Sequence, residues 1–403
     1  IVHTTLSHFR RPKKQVYLSP MKYLKIATKP GKIPELDGLR AVAILLVLCH
    51  HFSTFYREHN GSYYKQVFSG VWHHFIQNGW LGVDLFFVLS GYLIFHHLSA
   101  SADKAAQKNR KPDYGRYALK RILRTFPLYY AMIALVALGA IPYYSATVTA
   151  TSFWLHVVFL QDYFVSSVLV PMWSLATEEK FYLLAPLLLF MNNWRTHKSV
   201  FFLLVIVVVL MLWKSLQISQ INEEVTAIGF FESFRAPFHF AIISILVGVG
   251  VALTERLKHE GQTKRDFMPL VGLLAAALVI TVMLVSNLYR GPDWQRVHWL
   301  HFAVVLSFGV IMWISVAYTG ARWLKPLTGR FLRVVAVLSY ALYLVHYAIL
   351  PWALHWHRSW VSSEVAWVHA STFVLIYLSL TVVFALLLHY LVEKPFLLLK
   401  DKI

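Results

Sequence analysis

The feature that most constrains this chain is a recurrence: apolar runs of about 20 residues return along almost its whole length. Wound as an α-helix, such a run matches the hydrocarbon thickness of a bilayer and satisfies its own backbone hydrogen bonds there. Ten candidate helices follow, at roughly 36–56, 74–98, 127–144, 172–192, 199–216, 236–254, 268–288, 298–318, 333–354 and 366–391. The apolar piece at 151–166 is short and reads as interfacial or re-entrant. Composition agrees: 58% of the 403 residues are hydrophobic and 14% charged, against about a quarter charged in a soluble domain. The expected fold is all-α, a polytopic membrane helix bundle.

The formal net charge is +19. Nucleic-acid binding is one source of such an excess, but here the positive residues sit in short connections between apolar runs. With ten helices, 29 of the 38 Lys and Arg residues fall on one side, six on the other and three (Arg40, Lys180 and Lys214) within helices. Cytoplasmic loops collect Lys and Arg, so this asymmetry predicts both termini in the cytoplasm. No nucleic-acid partner is expected. The lone Cys49 permits no internal disulfide and completes no Cys/His zinc pattern. The first residues are polar and basic, unlike a secretory signal peptide. The expected organisation is a basic cytoplasmic arm at 1–32, a membrane domain at 33–398 and a cytoplasmic tail at 399–403.

Ionisable groups inside membrane helices are costly and usually face a cavity, so function is sought there. In LDGLRAVAILLVLCHHF, Arg40 lies near the cytoplasmic end and His51 eleven residues on, about 16 Å along one helix face. His50 turns away from that face. In GWLGVDLFFVLSGYLIF, Asp84 falls in the outer half, with Ser90 and Gly91 deeper. Asp84 could orient a histidine, pair with an arginine or serve structure alone. KRILRTFP places Lys120, Arg121 and Arg124 at the inner interface, a cationic cluster suited to phosphate oxygens or to ordinary anchoring. WSLATEEKFYLLAP lines Ser174, Glu178 and Tyr182 on one face, and Lys180 is expected to neutralise Glu179. SYALYLVH aligns Ser339, Tyr343 and His346, and Pro395 is expected to end a helix at the cytoplasmic side. The pattern is arginines at the inner boundary, with His51, Asp84, Glu178 and His346 in the outer half.

These segments resemble the acyltransferase 3 family of integral-membrane O-acyltransferases. The resemblance rests on LDGLR (36–40) with His51, GVDLFFVLSGYLI (82–94), KRILRTFP (120–127), WSLATEEKFYLLAP (173–186), SYALYLVH (339–346) and VEKPF (392–396), in the family's order. Ala41 stands where glycine is common and Lys394 where arginine is usual. The chain reads as the standalone form, without a fused hydrolase-like domain. The resemblance implies acetyl-CoA, or another acyl-CoA, as co-substrate with no permanently bound cofactor and no metal. It implies a hydroxyl of a glycan or glycoconjugate as acceptor, and a place in the bacterial inner membrane.

The expected mechanism uses Arg40, Lys120, Arg121 and Arg124 for the CoA phosphates, with Ser90 on the donor side. His51 is the general base, and Glu178 or Asp84 supports it. Trp173, Ser174 and His346 are assigned to the acceptor. A secondary transporter or lipid-linked glycan flippase is the alternative class, since intramembrane charges suit it too. A non-catalytic scaffold is the third.

Overall fold

The computed structural model describes residues 33–403, except 142–143, 145–147, 165–168, 192–196, 222–225, 259–267 and 287–297. The expected arm at 1–32 lies outside the described residues. The described residues form helices and connections with no strand. The long elements are α1 (Pro34–His59), the short α2 (Gly61–Val67) and α3 (Gly70–Gln77), then α4 (Leu81–Gln107) and α5 (Tyr114–Ala137). There follow α6 (Ala150–Val157), α7 (Trp173–Met191), α8 (His197–Ser219) and the single turn α9 (Ala227–Phe230). The rest are α10 (Phe238–Lys258), α11 (Met268–Val285), α12 (His298–Ala317), α13 (Arg330–Trp360), α14 (Ala366–Leu388) and α15 (Lys394–Lys402).

Each of the ten expected spans coincides with a helix. Among the described residues, seven helical stretches are long and apolar enough to cross a membrane by length and composition. The remaining three spans fall on α5, α7 and α11. The first two carry charge, KRILR in α5 and Glu178, Glu179 and Lys180 in α7. The chain is an all-α, polytopic helix bundle. The segment expected to be interfacial yields α6, eight residues long and closed by a reciprocal Thr149–Ser152 capping box.

Several boundaries differ from expectation, two of them at prolines. The third span was expected to begin at Pro127, yet α5 starts at Tyr114 and carries Pro127 inside. Asp113 caps it by accepting from the Arg116 amide at 2.8 Å. The basic segment is therefore helical and rigidly presented. Pro395 was expected to end a helix. Instead α14 passes through a π-helical turn, His389–Glu393, into α15, with Pro395 in the first turn of α15. Proline is tolerated there because its missing N–H is not needed.

The interior is built from close helix–helix contacts. A Cβ on Gly91 would stand 1.9 Å from the Ile245 carbonyl oxygen, and one on Gly248 would stand 2.0 Å from that of Val88. Only glycine lets α4 and α10 approach so nearly, a common device in membrane bundles where helices gain from packing rather than from leaving water. A Cβ on Gly82 would likewise meet the Ala43 carbonyl at 2.4 Å, tying α4 to α1. These contacts set α4, with Asp84 and Ser90, directly against α1, with Arg40 and His51. The lone Cys49 is exposed on α1, in keeping with a small apolar residue on the outside of the bundle.

Candidate active site

A pocket of about 130 Å³ opens among α1, α4, α5, α7 and α13. Arg40, Arg121 and Arg124 line it, together with Ser90, Glu178, Tyr182, Ser174, Ser339, Tyr340 and Tyr343. Arg124 is held 3.5 Å from Glu393, and Arg40 lies 3.7 Å from Asp37. Arg121 forms no ion pair among the described residues, and its buried Nε has no hydrogen-bond partner. Its guanidinium sits 5.9 Å from the ring centroids of both Tyr117 and Tyr182. An oriented, uncommitted guanidinium in a pocket is a ready site for a phosphate oxygen.

Lys120 was grouped with these arginines, but it does not line the pocket. Lys120 stands four residues before Arg124 on the same helix face and Arg121 three residues before it, so the three remain one cationic cluster of which only the arginines line the pocket.

Glu178 was expected among outer-half groups beside His51. It instead belongs to the arginine pocket, where it accepts from Ser90 Oγ at 2.6 Å and from the Tyr182 hydroxyl at 3.0 Å. It lies within electrostatic reach of Arg40 and Arg124. Ser90 is thereby committed to Glu178. Lys180, expected to neutralise Glu179, pairs with Asp162 in the connection before α7. Burial outweighs that lysine and raises the Asp162 carboxyl above its ordinary value.

His51 and His346 do meet. Their ring centroids are 5.2 Å apart, and Tyr347 closes the other side of His51 at 5.1 Å. His346 is fully buried. Its Nδ1 donates to the Tyr343 carbonyl at 2.7 Å, which leaves Nε2 as a bare lone pair, buried and without a partner. His50 turns away, as expected, to the Gln77 carbonyl at 2.7 Å. Neither His51 nor His346 lines the pocket that holds Arg40. The Tyr343 side chain lies between: it lines the pocket, its ring centroid is 5.7 Å from that of His346, and its hydroxyl is 2.6 Å from Ser174 Oγ.

Asp84 joins neither group. Arg235 Nη2 donates to it at 2.9 Å, Ser244 Oγ donates at 3.0 Å, and His301 Nε2 is 3.1 Å away. Of the roles left open for Asp84, pairing with an arginine and holding a histidine are both observed, with Arg235 and His301 as the partners. Trp173 is 7% exposed, wedged edge-on between Phe87 and Phe231 and 5.8 Å from the Arg235 guanidinium. A buried indole in that position offers no open face for a sugar, which alters the stacking role expected of it. Sequence reading did not find Arg235, His301 or Ser244 as partners of Asp84. They lie more than 150 residues away, and no spacing rule reaches that far. Tyr340 and Thr125, also in the pocket wall, gave no signal beyond an ordinary helical pattern.

A family model described as an acyltransferase domain (Acyl_transf_3) matches residues 33–390. The peptidoglycan O-acetyltransferase OatA of Listeria monocytogenes is 27% identical over 345 residues, covering 79% of this chain and 49% of that protein. The O-acetyltransferase OatA of Staphylococcus aureus is 24% identical over 348 residues, covering 82% of this chain and 52% of that protein. The chain therefore spans about half the length of these curated relatives. No solved structure matches it.

Proposed function

The chain belongs to the Acyl_transf_3 acyltransferase family, and from that premise we propose that it moves an acetyl group from cytoplasmic acetyl-CoA to a hydroxyl of an extracytoplasmic glycan. The observation that carries this reading is the arrangement of Arg40, Arg121 and Arg124 in one pocket whose far wall, Tyr343 and Ser174, abuts the His346–His51 pair. The relatives named as O-acetyltransferases support acetyl as the group and oxygen as the acceptor atom.

The arginines stand near the basic end of the bundle, where they bind the CoA phosphates. At about 130 Å³ the pocket is below the ~300–1,000 Å³ that encloses a drug-sized ligand. It takes the slender pantetheine arm, and the nucleotide stays at the mouth. The thioester then points toward Tyr343. The acceptor hydroxyl approaches from the opposite side and meets His51.

His51 removes the hydroxyl proton as oxygen attacks the thioester carbonyl. The tetrahedral oxyanion collapses, the C–S bond breaks, and the departing CoA sulfur takes the proton from His51. The His346 Nε2 lone pair gives the acceptor a second hydrogen-bonding point, so that hydroxyl and imidazole meet in one orientation. Ser174 and Tyr343 carry hydroxyls on the wall between pocket and histidines; both reach the Pro171 carbonyl at rest, so one must turn from it to donate to the oxyanion. Because Tyr343 separates the pocket from the histidines, its side chain must shift for the thioester to reach His51.

The test is reconstitution. Proteoliposomes loaded with labelled acetyl-CoA inside and offered glycan outside should release acetylated glycan into the outer medium. Label that stays inside in the presence of every glycan tried would overturn the reading.

A further inference from the structure

Lys214 is a charge without a counter-charge. It lies near the end of the apolar helix α8, is 6% exposed, and makes no hydrogen bond or ion pair among the described residues. Its Nζ is 5.6 Å from the ring centroid of Phe240. A bare ammonium held inside a membrane helix is expensive and usually serves a ligand or pathway. Asp84 is within its electrostatic reach but already committed. Arg235, Ser244 and His301 all converge on that carboxylate.

Arg235 is committed as well. Besides Asp84, it donates to the Trp80 carbonyl at 3.4 Å, and its guanidinium lies 4.0 Å from the Trp80 ring centroid. It is delivered by a π-helical turn, Phe231–Arg235, a distortion that recurs at functional sites. With Lys214 protonated, it and Arg235 carry two positive charges against the single negative charge of Asp84. The excess sits beside an aromatic rim in which His239 stacks on Trp213 at 4.9 Å and on Tyr163 at 5.7 Å. All of this lies across Trp173 from the arginine pocket. Trp173 connects the two, touching Arg235 while its neighbour Ser174 lines the pocket.

We propose that Lys214, backed by Arg235, binds an anionic group on the acceptor, a carboxylate or a phosphate, and so selects acidic glycans. The inference rests on the acetyl-transfer reading for the word acceptor, but not for the site itself. A neutral sugar would leave the ammonium unpaired; an acidic one supplies the missing charge in a low-dielectric setting where the pairing is strong. The buried Asp84–Arg235–His301 group holds the surrounding helices in place so that Lys214 is presented rather than left to swing toward water.

The test uses the full chain in detergent with three probes: a neutral N-acetylhexosamine oligomer, the same oligomer bearing one carboxylate, and the same oligomer bearing one phosphate ester. Two readouts are taken: kcat/KM for acetyl transfer from acetyl-CoA, and the shift in Tm caused by each oligomer without acetyl-CoA. The wild type should prefer at least one charged oligomer over the neutral one by about tenfold or more, and Lys214→Met should bring that ratio near one, whereas Lys214→Arg keeps it. The same charged oligomer should raise the Tm of the wild type and of Lys214→Arg but not of Lys214→Met. The carboxylate and phosphate arms tell which anion is taken. Equal preference in wild type and Lys214→Met, or equal Tm shifts, would overturn the proposal. Absence of transfer to every oligomer would sink the acetyl-transfer reading alone, and the Tm arm would still decide the anion site.

Discussion

His51 on α1 and His346 on α13 face each other with ring centroids 5.2 Å apart, and the second imidazole keeps an unpartnered, buried Nε2. A bare lone pair in a dry interior is tolerated when a donor arrives with the substrate. If the pair handles the acceptor hydroxyl, His51→Ala should lower turnover by roughly 10²–10⁴-fold, the usual contribution of a positioned base. His346→Ala should lower kcat more than it raises the KM for acetyl-CoA. Calorimetric titration with acetyl-CoA should give near-wild-type affinity for both variants. Full turnover in His346→Ala would leave that imidazole a packing role only.

Arg121 and Lys120 are neighbours in sequence with opposite relations to the pocket. Arg121 lines it without an ion-pair partner, while Lys120 does not line it. Losing a charge-assisted contact to a phosphate costs about 1.5–3 kcal/mol, equivalent to roughly 10–150-fold in affinity. Arg121→Ala should therefore raise the acetyl-CoA Kd by at least about tenfold, and Lys120→Ala by less than about threefold. Equal effects from the two would show that the contact is diffuse charge attraction rather than a built site. A salt titration of each variant separates these outcomes, because exposed charges are screened and buried ones much less so.

The bundle was legible because its cause is local. Apolar length and the distribution of Lys and Arg give ten helices, and all ten spans coincide with helices. Motif residues were also legible one at a time: Arg40, Arg121, Arg124, Ser90, Ser174 and Glu178 all line one pocket. What could not be read was depth and partnership. Glu178 and Asp84 were placed with the histidines because both fall in the outer part of their helices. Tilt and close packing instead deliver Glu178 to Ser90 and the arginines, and Asp84 to Arg235. Helical periodicity reports which residues share a face; it is silent on which neighbouring helix that face meets. The prolines misled for a related reason. Pro127 and Pro395 signal a boundary in isolation, yet one lies inside α5 and the other opens α15 directly from a π-helical turn.

The link from Ser90 to Glu178 at 2.6 Å makes those two residues a unit, with the Tyr182 hydroxyl as the second donor. A buried carboxylate that loses a donor keeps its desolvation cost, so single changes should be severe and jointly non-additive. Ser90→Ala and Glu178→Gln should each destabilise the protein in detergent, and the double variant should be milder than their sum by about 1–2 kcal/mol. Urea unfolding of the four proteins gives the coupling. Strict additivity would mean that Glu178 does not depend on Ser90 and that the pocket wall is held by other contacts.

Gly91 sets the distance between α4 and α10, and through it the position of Ser90 one residue away. A methyl group there would lie 1.9 Å from the Ile245 carbonyl oxygen, closer than any real contact, and the obstacle is helix backbone rather than a side chain that can rotate aside. The helices would have to move apart, and packing in their shared interior would be lost along several turns. Gly91→Ala should therefore cost about 1–3 kcal/mol or more as overpacking, visible as a lower Tm in detergent and reduced yield of folded protein. Gly61→Ala is the matched control, since nothing lies within 4 Å of a Cβ added there and the residue sits in the first turn of α2. That variant should fold and bind acetyl-CoA as the wild type does. Should Gly91→Ala prove as stable as Gly61→Ala, α4 and α10 would have slack between them, and the Ser90–Glu178 geometry could not depend on their close approach.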